Sequence, residues 1–138
     1  MCCHVQVSLD RTARHSHYNL NYHLVAVPKY RRRILIGVVR GRLIETINAL
    51  CAERDWTVLG LEVMPDHIHL FISCPPKWSP SDMAKIVKGV TARALLQEFP
   101  ALRARNGSLW TSAFYVGTAG SVSSETIRKY IAAQQEQD

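Results

Sequence analysis

From Tyr18 to Val27 apolar and polar positions alternate, with Leu20, Tyr22 and Leu24 on one side and Asn19, Asn21, His23 and Val25 on the other. That is the period of a half-buried strand. Pro28 closes it, and Val39, Leu43, Ile47, Leu50 and Cys51 then recur at helical spacing. Alternation returns from Trp56 to Met64 through Leu59, Leu61 and Val63, Pro65-Asp66 supplies a turn, and His67 to Cys74 runs back as the second strand of a hairpin. Pro75-Pro76 breaks the chain. Ser79 before Pro80 reads as an N-cap with proline in the first helical position, and Met83, Ile86, Val87, Val90 and Ala94 form one apolar stripe that stops near Phe99-Pro100. Leu109 to Thr118 predicts a fourth strand. Beyond Gly117-Thr118-Ala119-Gly120, a flexible joint, Ser123 caps a last helix with Glu125 in its first turn and Ile127 and Ile131 on a narrow apolar side. The order strand, helix, strand, strand, helix, strand, helix predicts an α+β fold: a ferredoxin-like, RRM-like split β-α-β antiparallel sheet with an added C-terminal helix. Residues 1–17 carry no such pattern and read as an N-terminal extension to a domain over 18–138.

Composition narrows the class. A chain of 138 residues suits one domain, and 47% hydrophobic with 20% charged residues argues against global disorder. Lys plus Arg exceed Asp plus Glu by 17 to 11, a net charge of +6, which favours an anionic partner such as nucleic acid. Cys2, Cys3, Cys51 and Cys74 contain no C-x-x-C pair, so neither a disulfide framework nor a zinc knuckle is expected, and the Cys2-Cys3-His4 start lacks further ligands. With no signal-length apolar segment and no membrane-length run, the expectation is a cytosolic, cytoplasmic protein with no membrane partner.

The strongest chemical signal is Met64-Pro65-Asp66-His67-Ile68-His69-Leu70-Phe71-Ile72-Ser73-Cys74. Period two puts Ile68, Leu70, Ile72 and Cys74 against the helices and His67, His69 and Ser73 on the open face. The two imidazoles stand with Cα atoms about 6.6 Å apart, close enough to converge on one metal ion, although such a pair also occurs as half-exposed polar residues. On the last helix Tyr130 and Gln134, four residues apart, share a face. Cations for phosphate binding are Arg31, Arg32 and Arg33 after the first strand, Lys85, Lys88 and Arg93 on the second helix, and Arg103 and Arg105 in the loop beyond it. Tyr30 and Trp78 are candidates for base stacking, with core packing the alternative.

His67-Ile68-His69 within MPDHIHLFI, preceded by YHLVAVPKYRRRIL and followed by IRKYIAAQ, resembles the one-tyrosine HUH transposases of single-strand insertion sequences over about Tyr18 to Gln135. The resemblance implies that Tyr130 is the nucleophile and that His67, His69 and Gln134 hold a divalent ion, with Mg²⁺ or Mn²⁺ suiting mixed nitrogen and oxygen ligands. It further implies cleavage and rejoining of single-stranded DNA through a 5'-phosphotyrosine, recognition of terminal hairpins, and a homodimer in which the tyrosine helix acts in trans. Two other readings stand beside it. One is a non-catalytic RRM-like nucleic-acid-binding module, which calls for an aromatic pair on the central strands where this chain has His67, His69 and Phe71. The other is an HUH nicking enzyme of replication or relaxase type.

Overall fold

The structure, a computed structural model, describes residues 20–118. Residues 1–17, the residues expected to form a last helix with Ser123, Tyr130 and Gln134, and the end of the expected Gly117–Gly120 joint lie outside the described residues. Six main elements follow in chain order: β1 (Leu20–Ala26), α1 (Gly37–Glu53), β2 (Thr57–Met64), β3 (His67–Cys74), α2 (Pro80–Glu98) and β4 (Tyr115–Thr118). The sheet order is β2-β3-β1-β4, and every pairing is antiparallel. This is the split β-α-β arrangement expected from the pattern, with β1 and β3 as its central strands.

One sheet face carries the core. Leu24, Ile68, Leu70 and Ile72 from the central strands are fully buried with Leu43 and Ile47 of α1 and Met83 and Val87 of α2. Both helices therefore cover the aliphatic face and leave the histidine face to other contacts. The start of α2 follows its sequence signal: Ser79 Oγ accepts the Asp82 N–H at 3.0 Å, and Pro80 occupies the first helical position. Among the described residues no helix is long and apolar enough to cross a membrane.

Three expectations are corrected. Strict alternation through Leu59 fails because β2 shifts register between Val58 and Gly60, so Val58 pairs with Ile72, Gly60 with Phe71, and Leu59 is the extra residue of a bulge. Val58 and Leu61, not Leu59, pack on the core. On α2 the buried line is Met83, Val87, Thr91 and Leu95, and it includes a polar residue that the apolar stripe passed over. Thr91 is tolerated there because its hydroxyl donates to the Val87 carbonyl at 2.7 Å and accepts the Trp110 indole N–H at 3.0 Å.

The fourth strand is also shorter than Leu109 to Thr118. Trp110 makes an isolated bridge to Pro28, flanked by Lys29 N–H to Leu109 O and Thr111 N–H to Val27 O, each 2.8 Å. The chain then leaves the ladder until Tyr115. Its departure is held from the side by Lys88, whose ammonium donates to Thr111 O at 2.6 Å and lies 4.6 Å from the Phe114 ring centre.

Candidate active site

His67 and His69 sit on the central strand β3, on the face away from the helices, but they are not half-exposed. Each is 4% accessible. The physical reason lies in part in cross-strand ring packing. The His23 and Phe71 rings lie parallel at 4.1 Å, His23 stacks on His69 at 5.4 Å, and Tyr115 approaches His23 edge-on at 5.7 Å. His23 and Phe71 are themselves buried. The His67 and His69 rings stand 5.0 Å apart and nearly perpendicular, at 86°.

Both ligand candidates are held at Nδ1, by different partners. Asp66 Oδ1 lies 2.8 Å from His67 Nδ1, and its Oδ2 accepts from Arg31 Nε at 2.9 Å. Burial alone raises the Asp66 carboxyl, but the hydrogen bonds and charges of Arg31 and His67 outweigh it and hold it below its ordinary 3.8. An ionised carboxylate only accepts, so the proton of that contact belongs to His67 Nδ1. On the other ring, His69 Nδ1 lies 3.2 Å from His23 Nε2. Burial, with the neighbouring His69 adding to it, pushes the His23 imidazole down to about 4, so His23 is neutral near pH 7.

These contacts test whether the donor set fits a divalent ion. A metal-bound imidazole characteristically has its other nitrogen tied to a carboxylate or similar partner, which sets the tautomer and the ring orientation. His67 meets that condition through the Asp66 carboxylate, and His69 would meet it with His23 as the acceptor of its Nδ1 proton; the nitrogen each would then offer is Nε2, buried in both cases. No group of three His, Cys, Asp or Glu that could hold a metal occurs among the described residues, so the imidazole pair needs a further ligand of another type or from elsewhere. The chemistry of the pair fits.

The family of proteins described as "Transposase IS200 like" matches residues 16–134. This chain belongs to that transposase family. It is 33% identical over 123 residues to the ISDra2 transposase TnpA of Deinococcus radiodurans, covering 88% of each chain. It is likewise 33% identical over 131 residues to the transposase of insertion sequence element IS200 from Salmonella typhimurium, covering 94% of this chain and 86% of the relative. A crystal structure of a Deinococcus radiodurans protein assigned as a transposase superposes with a TM-score of 0.69 at 32% identity, over 85% of this chain and 92% of the other. A REP-associated tyrosine transposase bound to a REP hairpin has the same fold, with a TM-score of 0.58 at 16% identity over 82% of this chain and 62% of that one.

Within this transposase the predicted cations separate into four settings. Arg31, Arg32 and Arg33 follow β1 in a tight turn where Tyr30 and Arg31 take left-handed φ values of 64° and 52°. Such values are uncommon outside glycine and cost on the order of 1–3 kcal/mol each. The turn is tied by Arg31 N–H to Pro28 O at 2.8 Å and Arg32 Nε to Lys29 O at 3.0 Å, and it carries Arg31 to Asp66. Tyr30 is left 63% exposed. Lys85 and Arg93 are exposed on α2, in the layer on the opposite side of the sheet from the imidazoles. Arg105 is exposed beyond α2, and Arg103 donates to Gly107 O at 3.1 Å. Lys88 is engaged on loop carbonyls, and Trp78 packs on the core edge-on to Trp56 at 5.3 Å rather than standing out as a stacking ring.

Two residues at the site carried no role in the sequence reading. Asp66 was legible only as half of a turn, yet its place directly before His67 is the signal that could have marked it. His23 was legible only as a polar position of the first strand, and nothing local to its segment shows that it reaches His69.

Proposed function

We propose that this transposase cleaves and rejoins single-stranded DNA at insertion-sequence ends by transesterification, with Tyr130 as nucleophile. The observation that carries the reading is the pair of imidazoles on β3, each held at Nδ1, in a chain of this family. His67 and His69, completed by Gln134, would hold Mg²⁺ or Mn²⁺, which when bound supplies Lewis-acid polarisation of the scissile phosphate. Tyr130 Oη attacks phosphorus, forming the tyrosyl ester as the bond to the 3'-oxygen breaks. The phenolic proton is given up, and the departing oxygen ends as a 3'-hydroxyl. No water enters, so the ester conserves the bond and a second 3'-hydroxyl can reverse the attack without ATP. A phenol with a pKa of about 10 is ionised in roughly one part in a thousand at pH 7, a cost of about 4 kcal/mol that the site must offset.

The DNA partner in this reading is a hairpin at the element's end. Its support is the net charge of +6 and the hairpin bound by a transposase of the same fold. Arg31 is tied to Asp66, which holds His67, so the cations of its turn, Arg31 to Arg33, would take phosphates beside the cleavage point, with Lys85, Arg93, Arg103 and Arg105 contacting the DNA elsewhere. The working unit is a homodimer whose tyrosine helix acts in trans.

The test incubates the purified protein with Mn²⁺ and labelled single-stranded DNA carrying the terminal hairpin of its own element. A protein–DNA adduct on a denaturing gel is expected. Chelation with EDTA and His67→Ala should abolish it, and Tyr130→Phe should abolish it while hairpin binding persists. An adduct formed by the Phe variant refutes the assignment of the nucleophile.

A further inference from the structure

We propose that His23 is a positioning residue for the metal site: its Nε2 accepts the Nδ1 proton of His69 and thereby holds His69 in the tautomer that presents Nε2 as a lone pair. The inference rests on the metal-binding reading above and adds a residue to it.

His23 Nε2 and His69 Nδ1 are 3.2 Å apart and buried, so one of the two must donate. If His69 is to give Nε2 to a cation, its single proton sits on Nδ1, and His23 must then be the acceptor with its own proton on Nδ1. The opposite assignment places a proton on His69 Nε2 and closes that nitrogen to coordination. The contact between the two rings therefore decides whether β3 offers two ligands or one.

The surroundings make His23 suited to the task. Its ring lies flat on Phe71, with an interplanar angle of 3°, and Tyr115 meets it edge-on. Burial at 6% accessibility and contacts on both sides restrict the ring's rotation. Strand register fixes the distance. His23 is paired with Phe71 and Val25 with His69, so His23 stands one diagonal step from His69 on the same face. The two ligands are thus supported unequally, His67 by a carboxylate that is itself tied to Arg31, and His69 by a second imidazole.

The test uses the full chain and Mn²⁺ alone, followed by loss of the free-ion electron paramagnetic resonance signal, with His23→Leu and His23→Gln. Leucine has no acceptor, and the glutamine amide oxygen can take the same proton. Mn²⁺ affinity should fall about 10- to 100-fold in the Leu variant and recover most of that loss in the Gln variant. Equal affinity in the wild type and a folded Leu variant, or an equal loss in two folded variants, overturns the proposal. Thermal melts report folding. Should the Leu variant not fold, long-range proton–nitrogen correlation NMR of the metal-free wild type decides: a proton on His69 Nδ1 supports the proposal, and one on His69 Nε2 overturns it. A wild type that takes up no Mn²⁺ counts against the metal reading instead, and the tautomer spectrum still judges His23.

Discussion

Thr91→Val isolates one buried hydrogen bond that holds the exit of β1. Thr91 is fully buried and Trp110 is 5% exposed, and the indole N–H donates to the Thr91 hydroxyl at 3.0 Å. Valine keeps the branched shape, so no cavity opens. What it removes is the acceptor, leaving an indole N–H desolvated without a partner at a cost of about 1–3 kcal/mol. The added methyl returns up to about 0.8 kcal/mol of apolar burial. The expected net loss is therefore about 1–2 kcal/mol, read as a lower urea midpoint at unchanged m. A double-mutant cycle with Trp110→Phe removes shape effects, since the variant lacking the N–H has nothing left to orphan. A coupling energy of about 1 kcal/mol or more is expected. Trp110 also bridges Pro28, so amide exchange at Lys29 and Thr111 should quicken in Thr91→Val. A coupling energy within about 0.3 kcal/mol of zero would refute the reasoning and assign Thr91 to helix packing alone.

Asp66→Asn keeps the turn but removes the charge that His67 Nδ1 and Arg31 share, so Mn²⁺ affinity should drop about 10- to 100-fold, and unchanged affinity by the same resonance titration would count against a carboxylate role. Cys51 and Cys74 are buried, and burial pushes both thiols up to about 12, so in a Cys2→Ser, Cys3→Ser background neither should react with a thiol reagent at pH 8 until urea unfolds the chain. The same two groups predict an alkaline loss of stability. The unfolded chain gives up these protons near the ordinary value of 9 while the folded chain retains them, so urea midpoints should fall as pH rises from 9 toward 12, and less steeply in Cys51→Ala.

What the sequence discloses about the site divides along the line between face and register. Alternation within His67–Cys74 is a local property, and it assigned His67 and His69 to one face and Ile68, Leu70 and Ile72 to the core correctly, because both sets lie on one strand. Alternation within β1 likewise put His23 on the side away from Leu24. It left open where along β3 that side chain would land. A slip of two residues between β1 and β3 preserves every face and every apolar contact type, yet brings Asn21 or Val25 opposite Phe71 in place of His23. Only the pairing His23 with Phe71, between strands separated by α1 and β2, brings an imidazole acceptor to His69. The burial of His69 follows in part from the same pairing, since the His23 ring, itself flat on Phe71, stacks on it where alternation alone leaves an open face. The Leu59 bulge and Thr91 teach the same lesson. One needs the partner strand to be counted, and the other needs Trp110, nineteen residues away, to make a polar core position tolerable. Chemistry that lives on a single strand was therefore readable before the fold was seen, and chemistry that lives between two strands was not.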